Sequence, residues 1–228
     1  MICNEKKNKN KNIKNIINVF FLGISSGIPL LLILTTLNMW LSEIGFNKTK
    51  IGLLAWVTIP YSIKFLAGPI VDKIEIPIIK KIGQRKSWLF LSQLLLILSL
   101  NTLGSINPNC NFKTTIVFAF IIGLISALQD TIIEAYRIEI IPKKMIEIGT
   151  TASVLGYKIG MLISSSGAIY CADFFNSWQK SYYIMSFFIL IGLITTINCV
   201  EPKKNINNNN NINIKDIKNI IKIFLKSN

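Results

Sequence analysis

The sequence predicts an all-α membrane protein of six transmembrane helices, and three observations predict it. Six apolar runs lie at about 17–40, 50–71, 87–106, 114–136, 149–172 and 181–200, and each reaches the ~20 residues needed to cross a bilayer. Lysine and arginine sit in the short segments between these runs and are nearly missing within them. The chain is 51% hydrophobic and carries a formal charge of +14, but that charge is split into segments and forms no single basic face. Nucleic acid is therefore not an expected partner, whereas a lipid bilayer is.

Residues 1–16 form a basic N-terminus with Lys6, Lys7, Lys9, Lys11 and Lys14. The apolar run that follows is too long for a signal-peptide core and reads as a retained first span. Residues 17–200 make up the bundle, residues 201–213 an Asn-rich linker, and residues 214–228 an amphipathic helix. In that helix Ile217, Ile220, Ile221 and Phe224 share one face, with Lys215, Lys218, Lys222 and Lys226 opposite, a pattern suited to an anionic membrane surface. Orientation follows from counting basic residues: nineteen flank one set of span ends, and Lys48, Lys50, Lys113 and Lys180 flank the other. The positive-inside rule then places both termini in the cytoplasm.

Gly23 and Gly27 in the first span are four residues apart, as are Gly156 and Gly160 in the fifth. That spacing permits close helix packing. The chain has no histidine, which removes imidazole ligands and histidine acid–base chemistry. Cys3, Cys110, Cys171 and Cys199 lack metal-binding spacing, and Cys110 and Cys171 would lie near the same membrane face, where a disulfide between them is possible. No nucleophile–base pair, phosphate loop, cofactor motif or metal constellation points to an enzyme.

The charges inside the spans carry the functional signal. Asp130, Glu134 and Arg137 follow at i, i+4 and i+7 and share a helical face, while Ile132 and Ile133 point elsewhere. A charge at the bilayer centre costs roughly 2.5–3.5 kcal/mol on insertion scales, so such groups face a protein interior or a wet cavity. Counting along the helices puts Lys64, Asp130 and Lys158 at a similar depth, roughly 10–14 Å from the cytoplasmic ends at 1.5 Å per residue. The expectation is a paired cluster, with Asp130 as the proton-sensitive group and Tyr157 beside Lys158 as a further candidate. A structural ion pair holding the bundle together is another reading of the cluster, and for Glu134 and Arg137 so is a cytoplasmic helix end whose charges lie at the headgroups.

Between the second and third spans the chain reads Gly68, then Asp72-Lys73, then Gly83-Gln84-Arg85-Lys86. This resembles the loop between spans two and three of the major facilitator superfamily, here with Ile74 to Ile82 inserted between its halves. The resemblance implies that Asp72, Arg85 and Lys86 form a charge latch at the cytoplasmic face. The stretches FLGISSGIPLLLILTTLNMWLSEIG, IPYSIKFLAGPIVD, ALQDTIIEAYRIEIIP and VLGYKIGMLISSSGAIYCAD, in that order, resemble the AmpG-type permease branch. That branch implies proton-driven inward transport of peptidoglycan fragments (muropeptides) across a bacterial inner membrane. It also implies twelve or more spans in two halves, of which six are legible here. A second six-span half or self-association would then complete the cavity. An acetyl-CoA-type solute carrier, a non-transporting remnant and a half-transporter interaction subunit are the alternatives.

Overall fold

A computed structural model describes residues 2–73 and 83–202, and among them every regular element is helical. Helix α1 (Ile2–Leu31) runs through a π turn at Leu32–Thr36 into α2 (Leu37–Glu43). The N-terminal segment read as a basic tail is thus helical from Ile2 and continuous with the apolar run.

The second segment is broken. Helix α3 (Lys48–Gly52) passes through a 3₁₀ stretch, Leu53–Thr58, into α4 (Ile59–Ser62), and a second 3₁₀ turn, Lys64–Leu66, leads to α5 (Ala67–Lys73). Pro60 sits in the first turn of α4, where its missing N–H does no harm, but it cannot donate back into a helix arriving from α3. The β-branched run Val57, Thr58, Ile59 before it adds to the crowding.

Helix α6 (Gln84–Ser105) and helix α7 (Phe112–Ile140) are unbroken. Helix α8 (Ile146–Leu162) passes through a π turn, Ile163–Gly167, into α9 (Ala168–Phe174), and α10 (Trp178–Asn198) follows a tight turn. Four helical stretches are long and apolar enough to cross a membrane: Lys9–Glu43, Gln84–Ser105, Phe112–Ile140 and Trp178–Asn198. The expected second and fifth spans are not among them: the breaks in α3–α5 leave only short helices, and in α8–α9, continuous through its π turn as the first stretch is, Lys158, Gly156, Gly160 and Ser164 to Ser166 dilute the apolar residues.

The tightest seam joins α1 to α8. A Cβ on Gly27 would strike the backbone of Tyr157, one on Gly156 the carbonyl of Phe20, and one on Gly160 the carbonyl of Ile24. The two glycine pairs face each other, so the backbones meet at a distance that no side chain permits. Above this seam the two π turns touch: Thr36 Oγ1 donates to the Ser164 carbonyl at 2.9 Å.

Two apolar cores stack along the bundle. One is built from residues such as Ile28, Leu32, Leu96, Leu100, Ile122 and Tyr182, the other from Val19, Leu22, Leu89, Ile132, Ile133 and Tyr136. A layer of buried polar side chains lies between them on four helices: Ser25 and Ser26 on α1, Gln93 on α6, Gln129 and Asp130 on α7, and Thr196 on α10. Each of those helices passes from one core through this layer into the other.

Candidate functional site

The polar layer is knitted across helices. Ser26 Oγ donates to Asp130 Oδ1, and Gln129 Nε2 donates to Ser25 Oγ at 3.4 Å. Thr196 Oγ1 donates to Gln93 Oε1 at 2.9 Å. Gly192 makes room for this contact, since a Cβ there would meet the Ser25 hydroxyl and the Gln93 amide. Gln129 Oε1 and Gln93 Nε2 are buried without a hydrogen-bond partner among the described residues. A buried amide group left unpaired costs about 1–3 kcal/mol, so these two atoms keep an open acceptor and an open donor for a hydrogen bond to water or a polar group.

Asp130 is 8% exposed, and its carboxylate lies within electrostatic reach of Lys64 and Glu134. Tyr61 and Tyr157 both sit close enough to sense its charge. The Lys64 ammonium donates to Glu134 Oε1 at 3.0 Å, with the two side chains 40% and 50% exposed. A buried carboxylate therefore stands behind an ion pair on an open rim. Glu134 reaches that rim because it lies one turn beyond Asp130 on α7. Lys64 opens the 3₁₀ turn Lys64–Leu66 that packs against α7, and its backbone carbonyl accepts from Thr131 Oγ1 at 3.4 Å.

This differs from the expected cluster. Lys64 takes Glu134 as its ion-pair partner, and Lys158 is exposed on α8 with no ion pair among the described residues. Equal depth along the bundle says nothing about which way each helix turns its side chain, and α8 turns its glycines, not Lys158, toward α1. Tyr157, its neighbour, is half-buried and does come near Asp130. Arg137 is half-buried with its Nε unpaired among the described residues.

Further along the same end of the bundle, one to two turns beyond Glu134 on α7, a second set of charges gathers. Arg85 Nη2 lies 2.8 Å from Asp72 Oδ1 and 2.6 Å from Glu139 Oε1, and the Arg85 Nε also donates to Glu139. Gln84 Nε2 donates to the carbonyls of Val71 and Asp72 at 2.7 and 2.9 Å, tying the start of α6 to the end of α5. Glu201 accepts from the backbone N–H groups of Arg85 and Lys86 at 2.9 and 3.1 Å, and Lys86 Nζ donates to the Ile197 carbonyl at 3.1 Å. The first turn of α6 has no acid of its own, so Glu201 supplies the negative charge its N-terminus favours. Gly83, at φ +106°, holds a backbone conformation that disfavours other residues, and a Cβ there would strike Glu201. Gly68 lies in open space, Lys73 closes α5, and the inserted residues 74–82 lie outside the described residues, as do the linker and the amphipathic helix beyond residue 202.

Glu139 and Glu201 escape a local reading because each belongs to a helix end far away in sequence. Ser25, Ser26 and Gln129 were not singled out in the sequence, although polar residues inside apolar runs are a signal of inward-facing positions in a membrane helix.

The family model described as Major Facilitator Superfamily matches residues 16–228. The chain belongs to the Major Facilitator Superfamily. Curated relatives within it include AmpG 1 of Rickettsia conorii, named as a transporter, which is 37% identical over 90% of this chain and 48% of its own length. AmpG 1 of Rickettsia bellii, likewise named as a transporter, is 35% identical over 90% of this chain and 52% of its own length. AmpG 4 of Rickettsia felis is 34% identical over 81% of this chain and 45% of its own length. The chain thus spans about half the length of the curated relatives it matches. Superfamily membership and the long apolar helices make it an integral membrane protein.

Proposed function

We propose that this chain forms the six-span N-terminal half of a proton-coupled permease that carries peptidoglycan fragments inward across a bacterial inner membrane. In this reading the broken α3–α5 segment and the α8–α9 segment are the second and fifth spans, and both termini are cytoplasmic. The observation that carries it is the buried Asp130 carboxylate bonded to Ser26 behind the open Lys64–Glu134 pair. Charges on a membrane helix are retained where they face a cavity and act there, and a titratable carboxylate beside a lysine is suited to exchanging a proton for a solute. The relatives' transporter names and the latch residues Asp72 and Arg85 support the same reading. The exposed ion pair supports a cavity wall that a second half, from another chain or another copy, would complete. The peptidoglycan-fragment substrate rests on resemblance to the AmpG-type branch.

The test is uptake of a radiolabelled disaccharide-peptide into vesicles containing this chain together with the C-terminal half of one of the relatives. Uptake that rises with an inward proton gradient, and loses that dependence in Asp130→Asn, is the expected result. Uptake indifferent to the gradient in the unmodified protein overturns proton coupling. Absence of uptake with both halves folded and assembled overturns the transport reading.

A further inference from the structure

At the end of the bundle opposite the Asp72–Arg85 cluster lies a pocket of about 910 Å³, within the range of small-molecule sites at about 300–1,000 Å³. The end of α2, the turn after α6, helix α9 and the start of α10 form its walls. In a chain of net charge +14, none of its lining residues is a lysine or arginine, while Glu43 and Asp173 both line it. Trp178 stacks on Trp40, with ring centroids 6.4 Å apart and planes 13° from parallel, and its indole N–H donates to Glu43 Oε2 at 2.9 Å. The indole wall is therefore held rigid from two sides. Tyr170 projects a ring that is 69% exposed. Asn109 and Gln179 add exposed amide groups, and the Asp173 carboxylate makes no hydrogen bond among the described residues.

We propose that this pocket is an entry subsite for the sugar portion of the transported solute. The inference rests on the reading of that solute as a glycopeptide and names where its carbohydrate first docks. A pyranose offers a flat C–H face and a rim of hydroxyls. Indole and phenol rings supply the matching apolar wall, and carboxylates and amides supply planar acceptors and donors spaced for neighbouring hydroxyls. A phosphate-bearing lipid headgroup fits poorly, because two carboxylates without a cation repel it. The free Asp173 carboxylate and the second oxygen of Glu43 are the acceptors the sugar hydroxyls would use.

The experiment titrates the full chain, in lipid nanodiscs free of sugar-based detergent, with N,N′-diacetylchitobiose, following tryptophan fluorescence and isothermal calorimetry. Saturable binding that weakens at least tenfold in Asp173→Ala and in Glu43→Gln, each with unchanged circular dichroism, is the expected result. Asp173 is exposed, so its variant remains informative if the Glu43 variant fails to fold. Absence of saturable binding by the unmodified chain, binding unaffected by Asp173→Ala, or displacement of the disaccharide by phosphoethanolamine overturns the proposal. Uptake of the same probe, measured in vesicles that hold this chain assembled with the C-terminal half of one of the relatives, separates the two readings: binding at the pocket without uptake overturns transport alone, and uptake without pocket binding overturns the subsite alone.

Discussion

Glu201 accepts a hydrogen bond from the backbone of Arg85 at 2.9 Å across 116 residues of chain, so a residue just past α10 caps the start of α6. The same carboxylate takes the Lys86 N–H, and Arg85's own side chain is meanwhile held by Asp72 and Glu139. The ends of α5, α6, α7 and α10 are thereby joined through Arg85 and Glu201.

Removing that cap has a definite cost. Glu201→Ala should lower stability by about 1–2 kcal/mol, in the range of a lost helix cap, and Glu201→Gln by less, since an acceptor remains. Thermal unfolding of the purified protein, followed by circular dichroism, measures both. Equal losses in the two variants would mean that charge, not hydrogen bonding, is what Glu201 contributes.

The seam between α1 and α8 should tolerate no side chain. Gly27→Leu and Gly156→Leu drive a side chain into a facing backbone, which has no rotamer to move away, and overpacking costs typically 1–3 kcal/mol and occasionally more. Gly52→Ala, in open space, serves as the control and should fold normally. Size-exclusion profiles and melting temperatures of the three variants decide the matter.

The Lys64–Glu134 pair should behave as a modest, solvent-screened interaction. With side chains 40% and 50% exposed, its coupling energy should be about 0.2–1 kcal/mol in a double-mutant cycle of Lys64→Met and Glu134→Gln. The coupling should shrink further as salt rises. A coupling several times larger would place the pair in a drier setting than its exposure implies.

Topology can be read from native thiols. Cys110 is a free, exposed thiol in the turn after α6, and Cys199 is buried beyond α10. A membrane-impermeant maleimide added to intact cells should label Cys110, and the half-buried Cys171 more slowly, while sparing Cys199, and the double variant Cys110→Ser/Cys171→Ser should abolish the signal. Labelling of Cys110 only after the cells are broken open would reverse the proposed orientation. The two thiols Cys110 and Cys171 are both free, so no disulfide blocks the assay.

The helices were legible because long apolar runs between charged segments admit few other structures in lipid. The glycine pairs were legible too, since Gly23, Gly27, Gly156 and Gly160 announce close packing, although not that they meet one another. Asp130 stood out as a carboxylate within an apolar run. Its partner Ser26 did not, because helical spacing relates residues on one helix and says nothing about the rotation of its neighbours. Lys158 shows the same gap: depth could be counted, direction could not. The π turns at Leu32–Thr36 and Ile163–Gly167 have no composition that marks them, and each adds a residue that turns all later faces of its helix by about 100°.

Apolar seams in a membrane are smooth, and a helix on a leucine-lined track gains little by stopping at one height rather than another. The buried layer of Ser25, Ser26, Gln93, Gln129, Asp130 and Thr196 makes that track notched. If α7 slid by one turn, about 5.4 Å, Asp130 and Gln129 would face methyl groups and their partners on α1 would face none. The layer therefore acts as a vernier that sets the vertical alignment of four helices, and any motion of this unit should proceed by rigid tilting, with the helices keeping their heights against one another.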